Sequence, residues 1–199
     1  MAERYPAWAP PLLAIQFLTR IPVPGTASLS AQQVATGLVQ AVGWFPLVGA
    51  GIGAITAAIA LAAASIWPAL VAVLIALAIE ARLAFLTIVA AASFGRLMVV
   101  VLMNLVAPAP QGTGLTKDVA SGVSLSMLIK ALVTALPGLL GFAMLAPLAL
   151  VAAALGACAF LWWFRAVLLS RIGGSSGDCL GFAAYASQLI LLLAATAAL

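Results

Sequence analysis

Trp44-Phe45-Pro46-Leu47-Val48-Gly49-Ala50-Gly51-Ile52-Gly53-Ala54-Ile55-Thr56-Ala57-Ala58-Ile59-Ala60-Leu61-Ala62-Ala63-Ala64-Ser65-Ile66 contains no charged side chain. At a helical rise of ~1.5 Å per residue, such a run covers the roughly 30 Å hydrocarbon core of a bilayer. Comparable stretches follow at Leu83–Pro108, Leu125–Leu145, Ala149–Phe164 and Leu180–Leu199. Alanine and leucine fill them without polar alternation, which predicts helices rather than a β-barrel. The 199-residue chain is 66% apolar and 6% charged, with a mean hydropathy of +1.30, so the bilayer must act as its solvent. The expectation is an all-α, polytopic helical membrane protein, a single integral domain over residues 1–199 with about five to six transmembrane helices.

Composition excludes several chemistries. The absence of histidine removes a Ser-His triad, a histidine metal cluster and histidine-ligated haem. Cys158 and Cys179 lie on different elements without metal-ligand spacing, so neither a disulfide nor a zinc site is expected. The net charge of +4 reads as loop arginines and lysines obeying the positive-inside rule, with no nucleic-acid partner implied. Met1–Pro11 carries Glu3, Arg4 and three prolines, which does not resemble a cleavable signal.

Residues 1–33 read as an interfacial N-terminal arm. Leu12–Thr19 is too short to span, and Ser28-Leu29-Ser30 offers a cap for a helix running from Ala31 into the first span. Gly43, Gly49, Gly51 and Gly53 permit close helix packing. Uncharged turns are expected at Ser65–Pro68 and Leu145–Pro147. The charged connections (the N-terminal arm, Glu80/Arg82, Gln111–Lys130 and Arg165–Asp178) belong together on the cytoplasmic side of an inner membrane. That grouping leaves one crossing unaccounted for. Ala69–Ala78, at about 15 Å, is short for a span, so either Ala69–Ala107 crosses once or a segment is missing near residue 80.

Polar residues gather in two islands. The denser is Arg171-Ile172-Gly173-Gly174-Ser175-Ser176-Gly177-Asp178. Gly173, Gly174 and Gly177 bring backbone N–H groups close to an anion, Arg171 pairs with phosphate oxygens, and Asp178 is a candidate metal ligand. The same residues also suit a glycine-serine turn with Asp178 capping the next helix. The second island, Gln111–Asp118, offers Gly112, Gly114 and Lys117 to a phosphate, or is a loop with Lys117 on the positive side. It lacks the spacing of a Walker A motif. Arg96, inside an apolar helix, is a functional candidate because an intramembrane arginine is costly. Arg20 beside Pro22 and Pro24 could hold an anionic ligand or lipid phosphate. Arg165 and Lys130 read as interfacial anchors, and Met98, Met103, Met127 and Met144 as packing.

Gln16-Phe17-Leu18-Thr19-Arg20-Ile21-Pro22-Val23-Pro24 and Trp44-Phe45-Pro46-Leu47-Val48-Gly49 resemble the N-terminal signature of the cobalamin synthase (adenosylcobinamide-GDP ribazoletransferase) family. The likeness resumes at Phe94-Gly95-Arg96 and Gly112-Thr113-Gly114. It is strongest at Arg171–Gly181, where the family typically shows Arg-Ile-Gly-Gly-Val-Thr-Gly-Asp-Thr-Leu-Gly.

The resemblance implies a membrane transferase joining adenosylcobinamide-GDP to alpha-ribazole or its 5'-phosphate, with release of GMP and a requirement for Mg2+. Arg96, Arg171 and Asp178 would then be catalytic, with Asp178 on the metal. Arg20, Gly112, Gly114, Lys117, Gly173, Gly174 and Gly177 would bind substrate. Other cobalamin-assembly enzymes and membrane lipid are the expected partners. One departure stands out. The family's acidic motif, His-x-Asp-Gly-x-Ala-Asp, has no counterpart; residues 79–82 read Ile-Glu-Ala-Arg, which implies an internal deletion near residue 80 and impaired activity. A non-enzymatic scaffold or small transporter is the alternative; the absence of an internal repeat argues against transport.

Overall fold

The computed structural model describes residues 6–19, 21–66, 81–109 and 123–197, and among them it is helical apart from short connections. The expected α-helical membrane architecture holds. Helix α1 is Ala9–Thr19 and α2 is Ala31–Ala41, which passes through a 3-10 turn, Val42–Trp44, into α3, Phe45–Ile66. Then come α4 (Ala81–Leu105), α5 (Leu125–Leu145), α6 (Pro147–Arg171) and α7 (Gly177–Ala197). Among the described residues five stretches are long and apolar enough to cross a membrane: Ala31–Ala62, Ala84–Leu105, Leu125–Leu145, Pro147–Arg171 and Gly177–Ala197.

Local chemistry sets the boundaries. Ser30 caps α2 in a reciprocal box, its hydroxyl accepting from Gln33 N–H while the Gln33 side chain accepts from Ser30 N–H. Pro147 begins α6, where its missing N–H costs nothing, so Ala146 alone separates α5 from α6. Helix α6 extends through Arg165 to Arg171, so the expected charged loop shrinks to Ile172–Ser176. Lys130 has a more specific place than an interfacial anchor: its ammonium lies 4.8 Å from the centroid of the Trp44 ring, a cation–π contact.

Helix α4 is the hub. Its spanning window is 61% buried, against 22–33% for the other four, because α3, α5 and α7 all pack on it. The turn Ala92–Arg96 is held from three sides by glycines. A Cβ at Gly49 of α3 would lie 2.6 Å from Ala92 O; at Gly95 it would lie 2.7 Å from Ala184 O of α7; at Gly138 of α5 it would lie 2.7 Å from Ser93 Cβ. Such small-residue seams bring backbones together where lipid supplies no hydrophobic drive.

The same seams give direction. Gly49 meets Ala92 and Gly53 meets Ile88, so α3 and α4 are antiparallel and α4 begins at the far end of α3. Gly138 meets Ser93 and Gly141 meets Leu86, so α5 is antiparallel to α4 as well. The start of α4 therefore shares an end with the Ala146 turn. The first residues of α4, from Ala81, thus lie at the opposite end of the bundle from the Arg171–Asp178 loop rather than beside it. Glu80 itself lies outside the described residues, and with it the stretch where the deletion was expected.

Candidate functional site

The glycine-serine loop is built between α6 and α7. Ile172 N–H and Gly173 N–H both donate to Leu168 O, at 3.0 Å each, closing α6. Gly173 takes φ +71°, a left-handed conformation that L side chains resist. Gly174 is buried, and a Cβ there would lie 2.5 Å from Ala109 N and 2.6 Å from Ala109 Cα. Only glycine lets the loop lie flat on the strand-like stretch that follows α4.

Two backbone hydrogen bonds seal that contact: Ser175 N–H donates to Ala107 O at 2.9 Å, and Ala109 N–H donates to Ser175 O at 3.0 Å. Ser175 is 5% exposed, and its hydroxyl is 3.4 Å from both Val106 O and Ala107 O. The second polar island starts just after Ala109. Its return at Val123 is tied to α4 as well, since Asn104 Nδ2 donates to Val123 O at 3.4 Å. Val123 and the Arg171–Asp178 loop are thus both tied to the same end of α4.

Ser176, not Asp178, caps α7. Cys179 N–H donates to Ser176 Oγ at 3.4 Å and Leu180 N–H to Ser176 O at 3.0 Å. Asp178 sits in the first helical turn, exposed, where the helix dipole favours its charge. Arg171 is exposed at the last turn of α6. Among the described residues Asp178 is the one carboxylate, and no group of three or more His, Cys, Asp or Glu residues gathers for a metal. Cys158 and Cys179 are free.

A pocket of about 210 Å³ opens beside the start of α7. Gly177, Gly181 and Tyr185 of α7 line it with Arg96 of α4, and Phe17, Phe45 and Met103 give it apolar walls. Phe17 stacks on Phe45 with centroids 5.6 Å apart and planes 9° apart, so α1 is a wall of this pocket. The pocket unites Arg96 with Gly177 and the start of α7. Arg171, Gly173 and Gly174 lie in the adjoining loop, whereas Arg20, Gly112, Gly114 and Lys117 lie outside the described residues. The aromatic walls and Tyr185 escaped the sequence reading, because phenylalanine in an apolar helix carries no mark that distinguishes a pocket from lipid. Tyr185, a hydroxyl inside a span, was the available signal.

No curated protein and no solved structure matches the chain. The sequence pattern of CobS, cobalamin-5-phosphate synthase, does match, in two pieces covering residues 10–84 and 74–196, which overlap at residues 74–84. Those pieces take in the Phe17 wall, Arg96 and the whole Arg171–Asp178 loop, and the chain belongs to the cobalamin-5-phosphate synthase family.

Proposed function

We propose that the chain is a transferase of cobalamin assembly that joins adenosylcobinamide-GDP to alpha-ribazole or its 5'-phosphate and releases GMP, acting at the cytoplasmic face of a bacterial inner membrane. The observation that carries this reading is that Gly177, where the Arg171–Asp178 loop enters α7, lines the same pocket as Arg96 within a chain of this family.

The loop supplies what a diphosphate needs. Arg171 offers a planar fork of donors to phosphate oxygens, and the first turn of α7 presents unpaired N–H groups and the positive end of its dipole. Gly173 and Gly177, both exposed, keep side chains out of the approach, and Gly174 lets the loop dock on Ala109. Arg96 adds positive potential to the pocket, and in an apolar surround that potential is weakly screened. The ribazole hydroxyl attacks the cobinamide-bearing phosphorus in line and gives its proton to solvent, while the bond from that phosphorus to the bridging oxygen breaks and GMP leaves with that oxygen.

One exposed carboxylate fits a magnesium ion that keeps several waters and takes its remaining ligands from substrate phosphates; it does not form a closed protein site. Asp178 would hold that ion, which would neutralise charge on the phosphoryl oxygens. No second carboxylate among the described residues stands ready as a base, so slow turnover is expected.

The test is GMP release from adenosylcobinamide-GDP and alpha-ribazole by folded protein with magnesium. Release that depends on both substrates and on Asp178 supports the transferase. Its absence from a folded sample rejects catalysis and favours the scaffold reading.

A further inference from the structure

Helix α7 turns one face to the pocket beside its start. Gly177, Leu180, Gly181, Ala184 and Tyr185 line it, at spacings i, i+3, i+4, i+7 and i+8. Position 181 is therefore near the middle of that face, and a Cβ there would meet nothing within 4 Å. Neither packing nor backbone conformation demands a glycine at this point. Gly49, Gly95 and Gly138 are pressed against neighbours closer than 3.0 Å, and Gly173 has a positive φ; Gly181 shows neither constraint. Glycine inside a helix costs stability relative to alanine. What its missing side chain leaves is room in the cavity.

The lining decides what kind of group that room suits. Phe17 and Phe45, with planes 9° apart, join Leu18, Val99 and Met103 as apolar walls. Aromatic walls favour a flat ring, and a helix face without side chains gives such a ring space to lie against it. Among the described residues the pocket's polar side chains are Arg96 and Tyr185, a fork of donors and one hydroxyl. A ligand bringing several N–H donors would leave them unpaired there, which is costly. A ring with a single acceptor nitrogen is satisfied by one donor from either residue. The volume of about 210 Å³ suits one bicyclic ring and not a corrin macrocycle.

We propose that this pocket is the subsite for the base of alpha-ribazole, and that Gly181 sets which bases fit. The assignment rests on the transferase reading and divides its substrates. The benzimidazole base has one free acceptor nitrogen and no N–H donor, whereas guanine has an amide and an amino group to satisfy. Gly177 lies one turn before Gly181, about 6 Å of helical rise. A base at Gly181 thus leaves its ribose beside Gly177, where the Arg171–Asp178 loop enters α7 and the attacking hydroxyl is needed.

Equilibrium binding of alpha-ribazole to the full chain in detergent, without adenosylcobinamide-GDP or magnesium, tests the proposal. Wild-type protein should bind alpha-ribazole, and guanosine should not displace it. Gly181→Leu should weaken binding about tenfold or more, the scale of forcing extra bulk into a filled site. Its thermal midpoint should not fall, because leucine is the better helix former. Gly51→Leu, at an exposed position of α3, should bind as wild type does. Phe17→Ala, on a different wall, should also weaken binding and carries the test if Gly181→Leu does not fold. No binding by folded wild type, displacement by guanosine, or unchanged affinity in the folded Gly181 or Phe17 variant overturns the proposal. GMP release measured on the same samples separates the two readings. Binding that Gly181→Leu abolishes, with no release from wild type, rejects only the transferase; release whose KM for alpha-ribazole is unmoved by Gly181→Leu rejects only the base subsite.

Discussion

At position 174 an added methyl group would meet Ala109 N at 2.5 Å, a backbone atom that cannot swing aside. Gly174→Ala should cost about 1–3 kcal/mol, the range for overpacking, and lower the thermal midpoint in detergent. Gly181→Ala, with nothing within 4 Å of its Cβ, should leave the midpoint unchanged and serves as the control. Asp178→Asn separates cap from ligand. Because Ser176 caps α7, the variant should keep its thermal midpoint, while any magnesium-dependent GMP release should fall at least about tenfold if the carboxylate holds the ion. The sequence showed that Gly174, Ser175 and Asp178 sit together, but not how they divide the work. A serine that docks a loop and a serine that caps a helix look alike until the hydrogen-bond partners, Ala107 O and Cys179 N–H, are known.

Among the helices, α4 bears most of the packing, and the three glycine contacts around Ala92–Arg96 make it the element least tolerant of added bulk. Gly95→Leu, forced against Ala184 O and the Gln188 side chain, should part α4 from α7. The expected result is loss of a monodisperse peak in size-exclusion chromatography, whereas a leucine at exposed Gly51 should be tolerated. The spans themselves were legible, since uncharged runs of alanine and leucine in a chain this apolar have no other stable solution. Their rank was not. Arg96 makes α4 look the least suited to a central place, yet Ala90, Ala91, Phe94, Leu97 and Val100 bury the rest of its circumference.

At the scale of the whole molecule, the seams predict which connections share a compartment. In a background lacking Cys158 and Cys179, Ser124→Cys and Ser170→Cys should react with an impermeant maleimide from one side of the membrane, and Leu148→Cys only from the other. Labelling of Ser170 and Leu148 from the same side would overturn the arrangement. Charge counting groups Glu80/Arg82 with the other charged connections because the positive-inside rule weighs loops one at a time, whereas contacts on three sides place the start of α4 at the opposite end from the Arg171–Asp178 loop. The antiparallel seam between α3 and α4 also imposes a parity. Segments can be gained or lost between residues 66 and 81 without inverting α4–α7 only in pairs of crossings. A lone extra span would carry Arg171–Asp178 into the opposite compartment. A two-span hairpin would leave the loop where it is and bring its own tip to the same side, so an acidic motif carried on that tip could be added or removed as a cassette.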